Sequence, residues 1–293
     1  MSEPTATEGD VPDRLVGELA EFGSEDLASA GGKGASLGEL VRAGFPVPSG
    51  FVITTAAYAR LLKSSGLELT PLLDEDATGA KIRSAVSSSP VPDDLTRAVV
   101  AAYRRLGSGA VAVRSSATAE DLPGAAFAGQ QDSYLNVVGE EALIGALRDC
   151  WASLWTERAV SYRRRQGIEP TEIAMAVVVQ NMVAADVAGV MFSANPVTGQ
   201  RDEIVVDASR GLGEAVVSGR VTPDHYVLDS RGGLRCWTAG GHEVEIRAVE
   251  GGGTSDLAGD AGSEPLLSDS QLRQLAALGS RVAAHFGRPQ DIE

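Results

Sequence analysis

Apolar positions repeat with a helical period in the first half of the chain and with strand-like runs in the second. That change of period predicts the element types. Gly31 to Gly38 leads into a short helix, and Thr54 to Leu62 reads as another. Ser64 to Pro92 is polar and turn-rich around a weak helix. Asp93 or Asp94 caps a helix running to Leu106, with Leu95, Val99, Ala102 and Leu106 on one face. Glu140 to Arg165 predicts a long amphipathic helix or a helix pair, its stripe formed by Leu143, Leu147, Trp151, Leu154 and Arg158. The basic end, Arg163-Arg164-Arg165, complements a helix dipole and reads as a solvated last turn.

From Ile173 to Val183 the run is continuously apolar and β-branched, which predicts a buried strand. Val187 to Phe192, Glu203 to Asp207, His225 to Asp229, Leu234 to Trp237 and Glu243 to Arg247 are further strand candidates. Gly251 to Ser263 is glycine-rich and reads as a mobile loop without core-forming power. Ser268 and Gln271 have the spacing of a capping box for a helix to Phe286, stopped by Gly287 and Pro289. There is no internal repeat. The expected class is α/β (α+β) with two lobes, approximately 14–185 and 186–293, behind a disordered tail at residues 1–13.

Composition narrows the function classes. A chain of 293 residues with 43% apolar residues can bury a large core or two smaller ones. The net charge of −15 argues against nucleic acid or an anionic membrane as partner. Any anionic ligand must therefore be met by local cations. Cys150 and Cys236 lack metal-ligand spacing and are too few for a disulfide framework, which fits a reducing compartment. The acidic, polar N-terminus is not a secretory signal, and no run approaches a membrane span, so a soluble cytoplasmic protein is expected.

The chemistry concentrates between Ala112 and Asn136. A short strand delivers Arg114, Ser115 and Ser116 to its end, followed by a small-residue loop with Glu120, Asp121 and Gly124. A guanidinium and two hydroxyls beside such a loop suit phosphate oxygens, since the planar fork of Arg holds two at once. The residues alone equally allow a structural Arg paired with Glu120 or Asp121. Two nucleotide motifs fail. Gly31-Gly32-Lys33-Gly34 lacks the wide glycine spacing of a Walker A loop, and Lys33 is followed by Gly. Gly211-Leu212-Gly213 has Val216 where a dinucleotide fingerprint needs Gly or Ala. Gln180, one amide among valines, needs a partner if buried, and a backbone hydrogen bond is the plain expectation.

Taken together, these stretches resemble the ATP-binding domain shared by phosphoenolpyruvate synthase, pyruvate phosphate dikinase and rifampicin phosphotransferase. The likeness runs through Gly31 to Leu40, Pro46 to Phe51, Ala112 to Asn136, Trp151 to Gly167, Ala176 to Val183, Ala188 to Phe192, Asn195 to Gly199, Gly211 to Glu214 and Gly287 to Glu293, in the family's order. It covers the chain from about Leu15 to its last residue. The resemblance implies an ATP-grasp-like fold with nucleotide between the lobes. It also implies that Lys33 and Arg114 reach the phosphates, that Gly129 and Ser133 lie near phosphates or Mg²⁺, and that Gln180 contacts the nucleoside. A hard oxygen ligand for the magnesium bridging the ATP phosphates falls to Glu293. Glu214 is a second candidate for the same cation.

The implied reaction is transfer of the β-phosphoryl group of ATP to a histidine on a swivelling domain, giving AMP and phosphate. The family continues past this glutamate into a Trp-Ala step and a Gln-x-Arg-Pro element, which the sequence lacks, as it lacks swivel and acceptor domains. The expectation is thus an ATP half-site, inactive alone, from a truncated product or an isolated domain. His225, His242 and His285 do not sit in the context of a phospho-accepting histidine, and His242 reads as an ordinary strand or loop residue. Asn195 to Gly199 is closer to the rifampicin phosphotransferase branch. The alternative is a catalytically silent nucleotide-binding or interaction module.

Overall fold

A computed structural model describes residues 14–67, 78–118, 133–157, 159–161, 174–260, 262 and 264–293. It divides into two compact units, one ending at Met182 and the other spanning Val183–Glu293. The first unit holds β1 (Val16–Glu18), α1 (Leu27–Arg42), β2 (Gly50–Ile53), α2 (Thr55–Ser65), α3 (Thr78–Ser88), α4 (Asp93–Arg105), β3 (Val111–Ala117), β4 (Ser133–Val137), α5 (Glu140–Ser153) and β5 (Met175–Asn181). Its strands form an antiparallel sheet in the order β1-β2-β5-β3-β4.

β5 is central because its run of valines can be buried on both faces. Val177 and Val179 join Phe51, Ile53, Val111 and Val113 in the larger core, with Leu61, Leu95, Val99, Leu143, Leu147 and Trp151 from the helices. Ala176 and Val178 turn to the other face and pack with Val52 and Ala30 of α1. The strand is shorter than Ile173 to Val183, and Val183 is exposed. In α4 the expected stripe is present: Leu95, Val99 and Ala102 are buried, joined by Tyr103. The expected cap is corrected. Pro92 occupies the N-cap, and Asp93 and Asp94 lie in the first turn, where their negative charge complements the positive end of the helix dipole.

α5 ends at Ser153, and after a short turn helix resumes at residues 157 and 159–161, which follows the helix-pair alternative as far as the described residues go. Leu143, Leu147 and Trp151 form the buried stripe, whereas Leu154 is buried beyond the helix end. Two indole N–H groups tie this region down, Trp151 donating to the Met175 carbonyl at 3.2 Å and Trp155 to the Tyr58 hydroxyl at 3.0 Å. The 1–13 tail, the Arg158 side chain, the basic run Arg163 to Arg165 and the loop carrying Glu120, Asp121, Gly124 and Gly129 lie outside the described residues.

The second unit contains β6 (Val187–Phe192), β7 (Glu203–Arg210), a single helical turn α6 (Glu214–Val217), β8 (Asp224–Asp229), β9 (Leu234–Thr238), β10 (Val244–Ala248), β11 (Thr254–Ala258), α7 (Asp269–Phe286) and β12 (Asp291–Ile292). The main sheet runs β12-β6-β7-β8-β9, all antiparallel. One face packs Met191, Ile204, Val206, Tyr226 and Leu228 against Leu272 and Ala276 of α7. That helix starts and stops as its sequence predicts. Ser268 and Gln271 form the capping box, and Gly287 closes the helix with φ of 69°.

Gly251 to Ser263 is not a loop throughout. Thr254–Ala258 forms β11, paired residue for residue with β10 around a tight turn at Gly251 to Gly253. The strand escaped notice because backbone hydrogen bonds form it, while its side chains are mostly exposed and carry no apolar alternation.

Candidate functional site

The start of α1 is where backbone conformation and chemistry first meet. The helix is broken at Gly31, which has φ of 68° and ψ of 174°. A left-handed φ favours glycine, and here packing demands it as well, since a Cβ would lie 2.1 Å from the Ser116 carbonyl oxygen. The Ser116 hydroxyl bridges the break, donating to the Ala30 carbonyl at 2.8 Å and accepting from the Gly34 N–H at 3.0 Å. Gly32, Lys33 and Gly34 thereby form a fresh first helical turn, anchored on β3. Helix N-termini carry roughly half a positive charge, which suits anions.

Arg114 stands on the same sheet face. It pairs with Val178 of β5 and with Ser133 of β4, and Ser116 pairs with Ala176. Val178 and Ala176 belong to the small core beneath α1, so Arg114, Ser133 and the clamp on the Lys33 turn share one side of the sheet. Arg114 is half-buried and Ser133 exposed. A guanidinium, a hydroxyl directly across from it and a lysine-bearing helix start thus share one sheet face, a set of groups that could hold an anion. Gly129 falls outside the described residues. Gln180 is only 5% exposed, and its Nε2 donates to the Pro48 carbonyl at 3.1 Å. The plain expectation for that amide is met, and the bond holds the Pro48-Ser49-Gly50 turn against β5.

In the second unit, Asp291 pairs with Phe192 and Ile292 with Met191. Ile292 packs toward the core under α7. Residues alternate across a strand, so Asp291 turns to the opposite face from Ile292, and Glu293 follows directly after the strand. The short strand is held beyond its ladder too: Ser193 N–H donates to the Gln290 carbonyl at 2.9 Å, and Gln290 N–H donates to the Ser193 hydroxyl at 2.7 Å. Two carboxylates two residues apart at this strand end fit Mg²⁺, which takes one or two protein carboxylates and completes its shell with phosphates and water. Asp291 was missed by sequence reasoning. The signal was present in the Asp-x-Glu spacing, once that segment is read as a strand.

Glu214 opens α6, exposed, beside the Gly211 turn. Gly211 has φ of 74°, and Leu212 N–H donates to the Ile246 carbonyl at 2.8 Å, so this glycine motif seats the turn on β10. Among the described residues no group of three or more His, Cys, Asp and Glu side chains could hold a metal without other ligands. Asn195 explains its motif structurally. Its Oδ1 accepts from the Val197 and Thr198 N–H groups at 2.9 and 3.1 Å, and its Nδ2 donates to Glu203 at 2.7 Å.

His242 is a loop residue, as expected, and a buried one. It is 3% exposed and placed between Ser209 Oγ at 3.3 Å from Nδ1 and Asp224 Oδ1 at 2.9 Å from Nε2. Asp224 also accepts from Gly240 N–H at 2.8 Å, Leu266 N–H at 3.1 Å and the Tyr226 hydroxyl at 2.7 Å. Burial raises the Asp224 pKa, but the hydrogen bonds from Gly240, Tyr226, Leu266 and His242 outweigh it, leaving the carboxyl at about 2. Burial and the Asp224 carboxylate push Tyr226 up to about 12. This one carboxylate joins three segments, β8, the turn at residues 240–242 and the chain at Leu266, away from solvent, and its role is structural.

Comparison with known proteins supports the same direction. Residues 27–293 match the family described as pyruvate phosphate dikinase, AMP/ATP-binding domain. The chain is 49% identical over 296 residues to a rifampicin phosphotransferase of Streptomyces sp, covering 96% of this chain and 34% of that protein. It is 42% identical over 308 residues to a probable phosphoenolpyruvate synthase of Methanothermobacter thermautotrophicus, covering 99% of this chain and 45% of the relative. A phosphoenolpyruvate synthase of Aeropyrum pernix is 40% identical, with 96% and 40% covered. The chain thus spans between a third and a half of the length of these relatives. No helix among the described residues is long and apolar enough to cross a membrane. A match over nine-tenths of the sequence, with the Lys33 turn and Arg114 on one sheet face, leaves one conclusion: this chain belongs to the pyruvate phosphate dikinase AMP/ATP-binding domain family, whose fold is ATP-grasp-like.

Proposed function

We propose that this domain binds Mg²⁺-ATP and presents its β-phosphoryl group to a histidine on a swivelling domain, in the same chain or another, as one half of a dikinase-type phosphotransferase. AMP and phosphate are the products, and the phosphohistidine then serves the final acceptor. The observation that carries this reading is the clamp between Ser116 and the Gly31 break, which sets the Lys33 turn on the sheet face that carries Arg114 and Ser133. In phosphoryl transfer the protein contributes mainly positioning and charge neutralisation. Lys33 supplies a mobile point charge, Arg114 a planar fork, and Gly129 with Ser133 a close backbone and hydroxyl approach. Gln180, already tied to Pro48, lines the nucleoside end. Magnesium, when bound, neutralises phosphate charge, and Glu293, with Asp291 beside it and Glu214 as a further candidate, would hold it. The matched relatives are named as phosphotransferases and synthases, which favours a working half-site over a silent module.

Calorimetry and thermal shift test the proposal. Mg-ATP should raise the melting temperature more than Mg-GTP does, and Arg114→Ala should weaken ATP about tenfold or more while the fold survives, from loss of charge-assisted bonds worth about 1.5–3 kcal/mol. Arg114→Lys should recover only part of the affinity. No adenine-nucleotide binding at millimolar concentration would overturn the proposal.

A further inference from the structure

The main sheet of the second unit carries a second polar constellation on the face turned away from α7. Asp207 of β7 and His225 of β8 are register partners, and His225 Nδ1 lies 2.7 Å from Asp207 Oδ1. An ionised carboxylate only accepts, so Nδ1 carries the proton and donates. In the neutral ring, Nε2 is then a bare lone pair. The His225 side chain is 44% exposed and that of Asp207 27%, so the ring edge is reachable from solvent. Among the described residues, Nε2 has no hydrogen-bond partner.

Register places this pair in line with the proposed metal end. Asp207 pairs with Val190 of β6, the neighbour of Met191, which takes the last β12 pair with Ile292, and Glu293 follows Ile292. Strands lie about 4.8 Å apart, so Asp207 stands about 5 Å and His225 about 10 Å from Val190 along one row, on the sheet face that Asp291 shares. Resting on the reading of Glu293 as a ligand for phosphate-bound magnesium, we infer that His225 is the sugar-recognising residue of this half-site, its Nε2 accepting a hydrogen bond from a ribose hydroxyl of the bound nucleotide.

Three features select a hydroxyl over other groups. A lone-pair acceptor is complementary to an O–H donor. The carboxylate of Asp207 beside the ring opposes a bare phosphate at that end of the row, whereas a neutral hydroxyl meets no like-charge repulsion. Finally, the half-buried Val190 and Val227 flank the pair, giving the carbon face of a sugar an apolar floor. Asp207 is a positioning residue in this arrangement, since it acts by holding the tautomer.

The test crosses ligand with variant. Affinities of Mg-ATP, Mg-2′-deoxyATP and Mg-3′-deoxyATP are measured by calorimetry for the full chain and for His225→Ala. In the parent chain, one of the deoxynucleotides should bind about three- to tenfold more weakly than ATP, the effect of one neutral hydrogen bond. His225→Ala should bind ATP at that weakened level and no longer discriminate. His225→Gln, whose amide oxygen can accept, should restore part of the difference, and it also decides the matter if the alanine variant does not fold. Unaltered discrimination in His225→Ala, or an equal loss for all three nucleotides, overturns the inference while leaving nucleotide binding intact. Absence of ATP binding by the parent chain removes the underlying proposal and this inference together.

Discussion

Replacing Asp224 with asparagine removes a charge without changing shape, at a carboxylate that four donors converge on from Gly240, Leu266, Tyr226 and His242. Asparagine keeps one oxygen, which can still serve Gly240 and His242. Its NH₂ group replaces the oxygen that accepts from Leu266 N–H and the Tyr226 hydroxyl, so one or two buried donors lose their acceptor. Each such loss costs about 1–3 kcal/mol, which sums to about 1–6 kcal/mol for the second unit. A separate consequence follows for pH. The Asp224 pKa is lowered from 3.8 to about 2, so the carboxylate contributes stability that is fully present above pH 3.8 and is lost as pH falls through about 2. The difference corresponds to about 2 kcal/mol. Hydrogen-exchange mass spectrometry of peptides from β7, β8 and α7, at pH 7 and in mild urea, reads this unit separately from the first. Parent and variant are then compared by acid unfolding. Exchange rates in the variant within about twofold of the parent, or identical acid profiles, would refute the assignment of Asp224 as the linchpin of the network.

Other outcomes follow from the two half-sites. Gly31→Ala should lower the melting temperature and abolish ATP binding, because the added Cβ would collide with the Ser116 carbonyl in a backbone region that alanine avoids; a normally stable, ATP-binding variant would show that the clamp is dispensable. Glu293→Gln should shift the magnesium requirement for ATP binding to higher concentration, and chelation should weaken ATP in the parent more than in the variant; equal responses would remove Glu293 from the metal. The chain joined to a histidine-bearing swivel domain should form AMP, and Lys33→Ala should abolish it; rapid AMP release by the 293-residue chain alone would contradict the proposed division of labour.

Elements with a local cause were legible before any coordinates. The Ser268 and Gln271 capping box and the Gly287 stop bound α7 because both signals act within one turn. The α4 stripe and the buried centre of β5 followed from periodicity alone. What could not be read was decided by distant partners. β11 exists because β10 pairs with it, the Gly31 break because Ser116 reaches across from β3, and the buried state of His242 because Asp224 and Ser209 arrive from other strands. The candidate residues were named from motif resemblance. Strand register added that Ser133 lies across from Arg114 and that Asp291 pairs with Phe192 on the face away from α7, relations that spacing in sequence does not contain.

The order of strands in the first sheet has a consequence for synthesis and folding. β5 lies between β2 and β3, although it follows both in sequence. The Lys33 turn is made early, but Ser116, which shapes it, is more than eighty residues away and sits on a strand whose neighbour toward β2 is β5. A nascent chain ending before Met175 therefore lacks the strand that joins β2 to β3, and the Gly31 break has no settled surface to lie on. Contacts of such sequence separation form late and slowly. Nucleotide competence should thus emerge in a single step when β5 inserts, so a ribosome-bound or truncated fragment ending before it would carry the lysine and the arginine yet be blind to ATP.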